Sequence, residues 1–104
     1  MISRTEEMLL LAVRQLEPDA YGLAIGRFLR ESTGKGWSVG AIYIPLERLR
    51  KRGLLSSRES SPTRERGGRS KRFYRLTTKG LAALGEVRRM QQVLWEGFSD
   101  LRAR

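Results

Sequence analysis

The chain is 104 residues long, the usual size of one domain and enough to bury a core. It carries 21 Lys and Arg against 11 Asp and Glu, a formal net charge of +10 that favours nucleic acid, an anionic membrane surface or an acidic protein as partner. The absence of cysteine and histidine excludes disulfides, Cys or His metal sites and triads with a histidine base.

The first predicted element is a helix over Ser3–Leu16. Glu6 follows Ser3 by three residues, which is the spacing of a capping box. In a capping box each of the two side chains accepts a hydrogen bond from the other residue's backbone N–H. We therefore expect the helix to begin directly after Ser3. Its apolar stripe consists of Leu9, Leu10, Val13 and Leu16.

A second helix is predicted after Pro18, from Ala20 to about Ser32. Asp19 directly precedes this segment and has the side chain of a good N-cap, so we assign it that role. Two glycines, Gly22 and Gly26, lie within the helix and each costs about 1 kcal/mol relative to alanine. Close packing against a neighbouring helix is the expected reason for both.

A third helix is predicted between Ser38, a good N-cap, and Gly53, a residue type that often follows a helix. Small residues and then cations on one face suit the major groove of DNA, although a plain amphipathic helix has the same pattern. Pro45 removes one intrahelical hydrogen bond, so a bend or a tightened first turn is expected. The apolar face is predicted to consist of Val39, Ile42, Tyr43, Leu46 and Leu49, and the other face of Gly40, Ala41, Arg48 and Lys51.

Two strands are predicted next, over Leu54–Glu59 and Lys71–Leu76, with Tyr74 and Leu76 on one face. The loop between them, residues 60–70, is rich in Gly, Ser and Arg. A basic hairpin loop suits contact with phosphate, and a solvated loop tip has the same composition.

Thr77 or Thr78 is predicted to cap a last helix that runs to near the C-terminus. Such a helix is longer than the core of a small domain can cover, so its outer half needs another surface, and a second copy of the chain is the simplest one. The predicted dimer residues are Leu84, Val87, Met90, Gln91, Leu94, Trp95, Phe98 and Leu101.

The order of these elements indicates an α+β, mostly helical fold: a winged helix-turn-helix with a two-stranded wing and a long C-terminal dimerisation helix. In that fold the second and third helices form the helix-turn-helix, the third lies in the major groove, and the hairpin contacts phosphate or the minor groove. We expect residues 1–76 to form the DNA-binding domain and residues 77–104 the dimerisation helix, together one compact unit.

Three stretches then resemble the PadR family of bacterial transcriptional regulators. They are Asp19–Gly22, Gly40–Tyr43 followed by Leu46, Leu49 and Gly53, and Glu65–Thr77 followed by Gly80. The resemblance covers about residues 3–101 and implies a homodimeric repressor of the smaller PadR subgroup, with one C-terminal helix. One departure concerns Pro45, which follows Ile44, whereas many relatives place proline directly after the tyrosine.

The resemblance places Ser38, Gly40 and Tyr43 at positions that face DNA, and a core aromatic is the alternative for Tyr43. Arg48 would reach phosphate or a guanine edge, with simple solvation as the alternative. Since phosphate contacts position a protein and base contacts specify the sequence, the wing should supply affinity and the helix preference. The predicted DNA-binding residues are Ser38, Gly40, Ala41, Tyr43, Ile44, Arg48, Lys51, Arg64, Arg66, Arg69 and Lys71.

Some PadR relatives bind flat aromatic ligands between tryptophans near the dimer interface. The resemblance therefore implies Trp95 as the position of a small aromatic effector, with packing in the dimer interface as the alternative. No cofactor and no metal are expected.

We thus expect a sequence-specific transcriptional regulator that binds double-stranded DNA at a pseudo-palindromic operator. A winged-helix module for RNA or a protein partner is the alternative, and a binder of anionic membranes or acidic proteins explains the charge but not the order of elements. An enzyme is not expected, because the carboxylates are scattered and no nucleophile–base pair is visible. The longest apolar run, residues 8–13, is far shorter than the roughly 20 residues of a membrane span, and no signal-peptide pattern begins the chain. We expect a cytoplasmic protein without membrane partners.

Overall fold

The computed structural model describes residues 1–60 and 71–98. In these residues the elements are α1 (Arg4–Leu16), α2 (Gly22–Thr33), α3 (Val39–Lys51), β1 (Leu55–Glu59), β2 (Arg72–Leu76) and α4 (Thr78–Trp95). The two strands are antiparallel, with Leu55 opposite Leu76 and Glu59 opposite Arg72. The predicted α+β winged-helix architecture is confirmed.

The hydrophobic core lies between α1, α2, α3 and one face of the strand pair. Successive strand residues point to opposite faces, so Tyr74 and Leu76 share the buried face as predicted, while Phe73 and Arg75 lie on the other. The most deeply buried large side chains come from four elements and are Leu9, Leu10, Val13, Ile25, Leu46, Leu49 and Leu55.

Local hydrogen bonds fix where α1 and α4 begin. The Ser3 hydroxyl accepts from the Glu6 amide at 3.1 Å, and the Glu6 carboxylate accepts from the Ser3 amide at 2.8 Å, so the predicted capping box is confirmed. Thr77, the first of the two candidate caps of α4, accepts from the Gly80 amide at 3.0 Å. Its hydroxyl also donates to the Gly53 carbonyl at 2.7 Å, which ties α4 to the end of α3.

The start of α2 differs from the prediction. The helix begins at Gly22, its N-cap is Tyr21, and no side chain caps it, so the assignment of Asp19 as N-cap and of Ala20 as first helical residue is wrong. The cause is a tertiary contact: the carbonyl of Ala20 accepts a hydrogen bond from the Tyr74 amide at 2.8 Å, and Tyr21 forms a β-bridge to β2. These two residues extend the sheet by a short third segment and so cannot be helical.

The described part of α4 has two environments. Its first half packs on the core, where Gly80 lies so close to the Leu54 carbonyl that a β-carbon would overlap it, and Val87 is 5% exposed. The helix ends at Trp95, and Gly97 follows with a φ of +91°, so the prediction of one helix running to near the C-terminus is wrong at this point. The described residues extend over 57 × 28 × 21 Å. None of their helices has the length and apolar character needed to cross a bilayer.

Candidate nucleic-acid interface

One face of α3 is solvent-exposed and carries most of the predicted DNA-binding residues. Ile42, Leu46 and Leu49 are buried, which fixes the rotation of the helix. The Ser38 hydroxyl accepts from the Ala41 amide at 3.1 Å, so the predicted cap is confirmed. The exposed residues of the face are Ser38, Gly40, Tyr43, Ile44, Arg48 and Lys51, and Ala41 is half-buried.

The C-terminal end of α3 is sharply defined. Gly53 has a φ of +79°, its amide donates to the Arg50 carbonyl at 3.0 Å, and the Leu54 amide donates to the Leu49 carbonyl at 2.9 Å. This pair of bonds is the Schellman motif, and it confirms the predicted glycine stop. The helix runs without interruption through Pro45.

Tyr43 joins the exposed face of α3 to α2. A β-carbon on Gly22 would overlap the phenol ring of Tyr43, so the ring lies directly against the α2 backbone. The side chain is nevertheless 40% exposed. One side of the ring therefore packs between helices, as the core alternative expected, and the rest lies at the surface.

The turn between α2 and α3 is held by backbone and side-chain hydrogen bonds. Gly34 adopts a φ of +71°, and its amide donates to the Arg30 carbonyl at 2.9 Å. The indole nitrogen of Trp37 donates to the Thr33 hydroxyl at 3.1 Å, and the half-buried ring packs against the core. Val39, which the sequence placed on the apolar face, is 69% exposed; Trp37 covers this end of the core in its place.

The root of the wing carries a cluster of cations and aromatic rings. The Lys71 ammonium lies 4.1 Å from the Tyr21 ring centroid, and the Arg58 guanidinium lies 4.6 Å from the Phe73 centroid. The two rings meet edge to face at 5.6 Å. Of this cluster the sequence predicted only Lys71. Phe73 comes two residues after Lys71, so the two share one face of the strand, and this spacing was a usable signal for the rest. The predicted wing residues Arg64, Arg66 and Arg69 lie outside the described residues.

An acidic residue of α3, Glu47, is held by two arginines. Arg50 donates to it at 2.6 Å from Nη2, and Arg72 of β2 donates at 3.1 Å from Nη1. The second terminal nitrogen of Arg72 donates to Glu59 of β1 at 3.1 Å. The hydrogen bond from Arg50, and then the charges of both arginines, hold the pKa of the Glu47 carboxyl below its ordinary value, so it is ionised at neutral pH.

The second half of α4 exposes an apolar face. The side chains of Trp95 and Phe98 meet edge to face at 6.0 Å between ring centroids. The exposed apolar residues here are Met90, Val93, Leu94, Trp95 and Phe98, with exposed fractions of 37%, 64%, 69%, 53% and 57%. Val93 was missed by the sequence analysis, although it lies three residues after Met90 and therefore on the same side of the helix.

The other predicted dimer residues lie elsewhere. Val87 lies in the core of the protomer, because this part of α4 packs on α1 and the strands, so its placement at an interface is corrected. Leu84 is half-buried against the same core. The amide of Gln91 donates to the buried carboxylate of Glu7 at 3.3 Å, a contact within the protomer. Leu101 lies outside the described residues.

Comparisons with known proteins agree with this architecture. Residues 9–86 match the transcriptional regulator PadR-like family. A PadR family transcriptional regulator from Eggerthella lenta DSM 2243 has 30% sequence identity and a TM-score of 0.70, with 92% of this chain and 81% of that chain covered. No curated protein matches the sequence.

Two further solved structures are similar. A PadR-like transcription factor from Bacteroides fragilis has 29% identity and a TM-score of 0.73, covering 89% of this chain and 87% of that one. A PadR family transcription regulator from Clostridium difficile R20291 has 25% identity and a TM-score of 0.65, covering 89% and 98%. The family match spans α2, α3 and both strands, which form the helix-turn-helix and the wing root. The chain therefore belongs to the PadR-like family, a family of transcriptional regulators and not of enzymes.

Proposed function

We propose that this regulator is a homodimeric repressor that recognises a pseudo-palindromic operator in double-stranded DNA. The observation that carries the proposal is the exposed face of α3. Gly40 lets the backbone approach the base edges, and Ile44, 56% exposed, offers an apolar surface suited to thymine methyl groups. Arg48 and Lys51 follow on the same face, where cations reach phosphate or guanine.

The wing supplies the second contact in this proposal. Lys71 is held over the Tyr21 ring, so its ammonium loses less freedom when it meets a phosphate. The wing residues Arg64, Arg66 and Arg69 add charge to the same hairpin. Such contacts provide affinity without sequence preference, and the net charge of +10 supports them.

The exposed apolar face of α4 supports the dimer. Five large apolar side chains are exposed between positions 90 and 98, which is unusual on a monomer and favours an interface. Two-fold symmetry would present two α3 helices to successive major-groove turns, roughly 34 Å apart, which is why the operator is expected to be pseudo-palindromic.

The proposal also includes a small planar aromatic effector that stacks on Trp95. The ring is 53% exposed and belongs to the proposed dimer surface. A ligand stacked there would change the packing of the two α4 helices and with it the separation of the two recognition helices. Release of the operator would follow from that change in separation.

The test is a titration of the purified protein into its own upstream promoter fragment and into a scrambled fragment of equal composition, at two salt concentrations, with the mass in solution recorded. A dimer that prefers the promoter by about 1,000-fold or more at both salts is expected. Equal and salt-sensitive binding to both fragments, or preference for RNA, would contradict the proposal.

The same complex tests the effector. A panel of planar aromatic compounds is added to the promoter complex of a Trp37→Phe variant, in which Trp95 is the remaining tryptophan. One or more compounds should release the DNA and quench the tryptophan emission. Release without quenching would place the effector site away from Trp95.

A further inference from the structure

Arg72 lies where the wing meets the recognition helix. It is the first residue of β2, on the inner face, and lies opposite Glu59 at the end of β1. One terminal nitrogen donates to Glu47 of α3 and the other to Glu59 of β1, both at 3.1 Å. One guanidinium of β2 is therefore joined to α3 and to β1, through carboxylates that lie 25 and 13 positions away in the sequence.

The position of Arg72 differs in kind from that of a phosphate-binding arginine. Both of its terminal nitrogens donate to carboxylates, and Glu47 receives a further bond from Arg50. The four side chains alternate in sign and carry no net formal charge. A phosphate that approached this guanidinium would be repelled by the two carboxylates bound to it, Glu47 and Glu59.

The bridge contributes little to global stability, because ion pairs at this exposure are weak. The side chains of Arg72, Glu47 and Glu59 are 41%, 33% and 58% exposed. Its effect is geometric: the planar fork of arginine sets both the distance and the angle between the carboxylates it joins. Loss of the bridge would leave the fold intact and free the wing to change its angle to α3.

We infer that Arg72 is a positioning residue that sets the wing against the recognition helix, so that both contact one duplex together. The inference rests on the proposed function and assigns to this arginine a role other than phosphate binding. Two adjacent cations thus have different roles: Lys71 contacts DNA directly, and Arg72 supports the wing. Composition alone does not distinguish them.

The test compares variants that each lose one positive charge. The probes are a duplex that the wild-type protein enriches from a random-sequence library, and a scrambled duplex. Binding is measured by fluorescence anisotropy over a series of salt concentrations. Lys71→Gln should weaken both complexes and flatten the slope of log affinity against log salt by roughly 0.9. Arg72→Gln should keep the wild-type slope and lower the ratio of selected to scrambled affinity by about tenfold.

Two further variants sharpen the comparison. Arg14→Gln removes an equal charge from an exposed position of α1. Apart from the effect of the lower net charge, it should change neither the slope of log affinity against log salt nor the ratio of selected to scrambled affinity. Glu47→Gln should lower the affinity ratio like Arg72→Gln, and the double variant should show no further loss, because both changes break the same bridge. If Glu47 were only a repulsive charge near DNA, its neutralisation would strengthen both complexes.

The outcomes separate the two claims. If the wild-type protein enriches no duplex, the proposed function fails, and the inference is then judged on the free protein. There Arg72→Gln should speed amide hydrogen exchange in β1 and β2, leave α1 unchanged and leave the melting temperature within about 2 °C. A slope flattened as by Lys71→Gln, or strand exchange equal to wild type, would overturn the inference.

Discussion

Gly22, which has no side chain, leaves the space in which the ring of Tyr43, a proposed DNA contact, is positioned. The ring of Tyr43 occupies the space that a β-carbon on Gly22 would need. The ring is thereby supported from α2 while it remains 40% exposed at the surface of α3. Its proposed contact with DNA therefore depends on a residue of a different helix.

Gly22→Ala should destabilise the protein by about 1–3 kcal/mol, because the added methyl must displace the tyrosine ring. The same variant should reduce discrimination between promoter and scrambled DNA. Denaturant unfolding and binding titrations measure the two effects.

Gly26→Ala is the matched control in the same helix. The nearest atom to its new methyl is the flexible end of Arg30, at 3.1 Å. Its effect should lie between neutral and about 1 kcal/mol of stabilisation, since alanine is the better helix former. Equal destabilisation by both variants would mean that α2 resists any substitution and that Tyr43 is not the cause.

At the scale of elements, the start of α1 depends on a carboxylate. The hydrogen bond from the Ser3 backbone, and the nearby Arg52 guanidinium at 2.7 Å, hold the pKa of Glu6 below its ordinary value. A carboxyl with a lowered pKa in the folded state stabilises the fold above its unfolded-state pKa, and this contribution is lost as the pH falls through the lowered value.

Glu6→Gln should therefore lower the free energy of unfolding at pH 7 by about 1 kcal/mol. Below the lowered pKa the difference from wild type should shrink, because the wild-type residue is then protonated as well. Urea unfolding at a series of pH values measures the difference. Glu86→Gln, at an exposed position of α4, is the control for the loss of one negative charge and should lower the free energy of unfolding at pH 7 by less than Glu6→Gln does.

The ends of helices were predictable where they depend on neighbouring residues. Ser3 with Glu6, Ser38, Gly53 and Thr77 all act within one turn of chain, and the structure confirms each of them. The start of α2 was not predictable in this way. It is set by pairing of Ala20 and Tyr21 with β2, more than 50 residues later. A local sequence pattern cannot predict that contact.

The candidate site was likewise predictable only where it depends on residues close in sequence. Helical periodicity was enough to place Gly40, Ile44 and Arg48 on one exposed face. It could not distinguish Arg72 from the other wing cations, because its partners Glu47 and Glu59 are distant in sequence and only the strand register brings them together.

At the scale of the whole molecule, the two halves of α4 have different environments. The first half of α4 belongs to the core, whereas the second half exposes apolar side chains beyond the contact of Gln91 with Glu7. Since Leu94 is 69% exposed, a change there should leave the protomer folded.

Leu94→Glu should weaken the proposed dimer by about 100-fold or more, because it introduces an unpaired charge into an apolar interface. The protein should then be monomeric by light scattering at micromolar concentration and should bind the promoter more weakly. Leu11→Glu changes an apolar residue of α1 that is 44% exposed and should leave the mass unchanged. A Leu94→Glu protein that stays dimeric would move the interface elsewhere.

The contact between Gly22 and Tyr43 also constrains how the sequence can diverge. A side chain at position 22 needs the volume that the phenol ring now fills, so relatives that carry one there should have a smaller residue at position 43. The two positions would then covary across the helix-turn-helix. Redesign of operator preference through position 43 would likewise begin with a compensating change in α2, a helix outside the proposed base contacts.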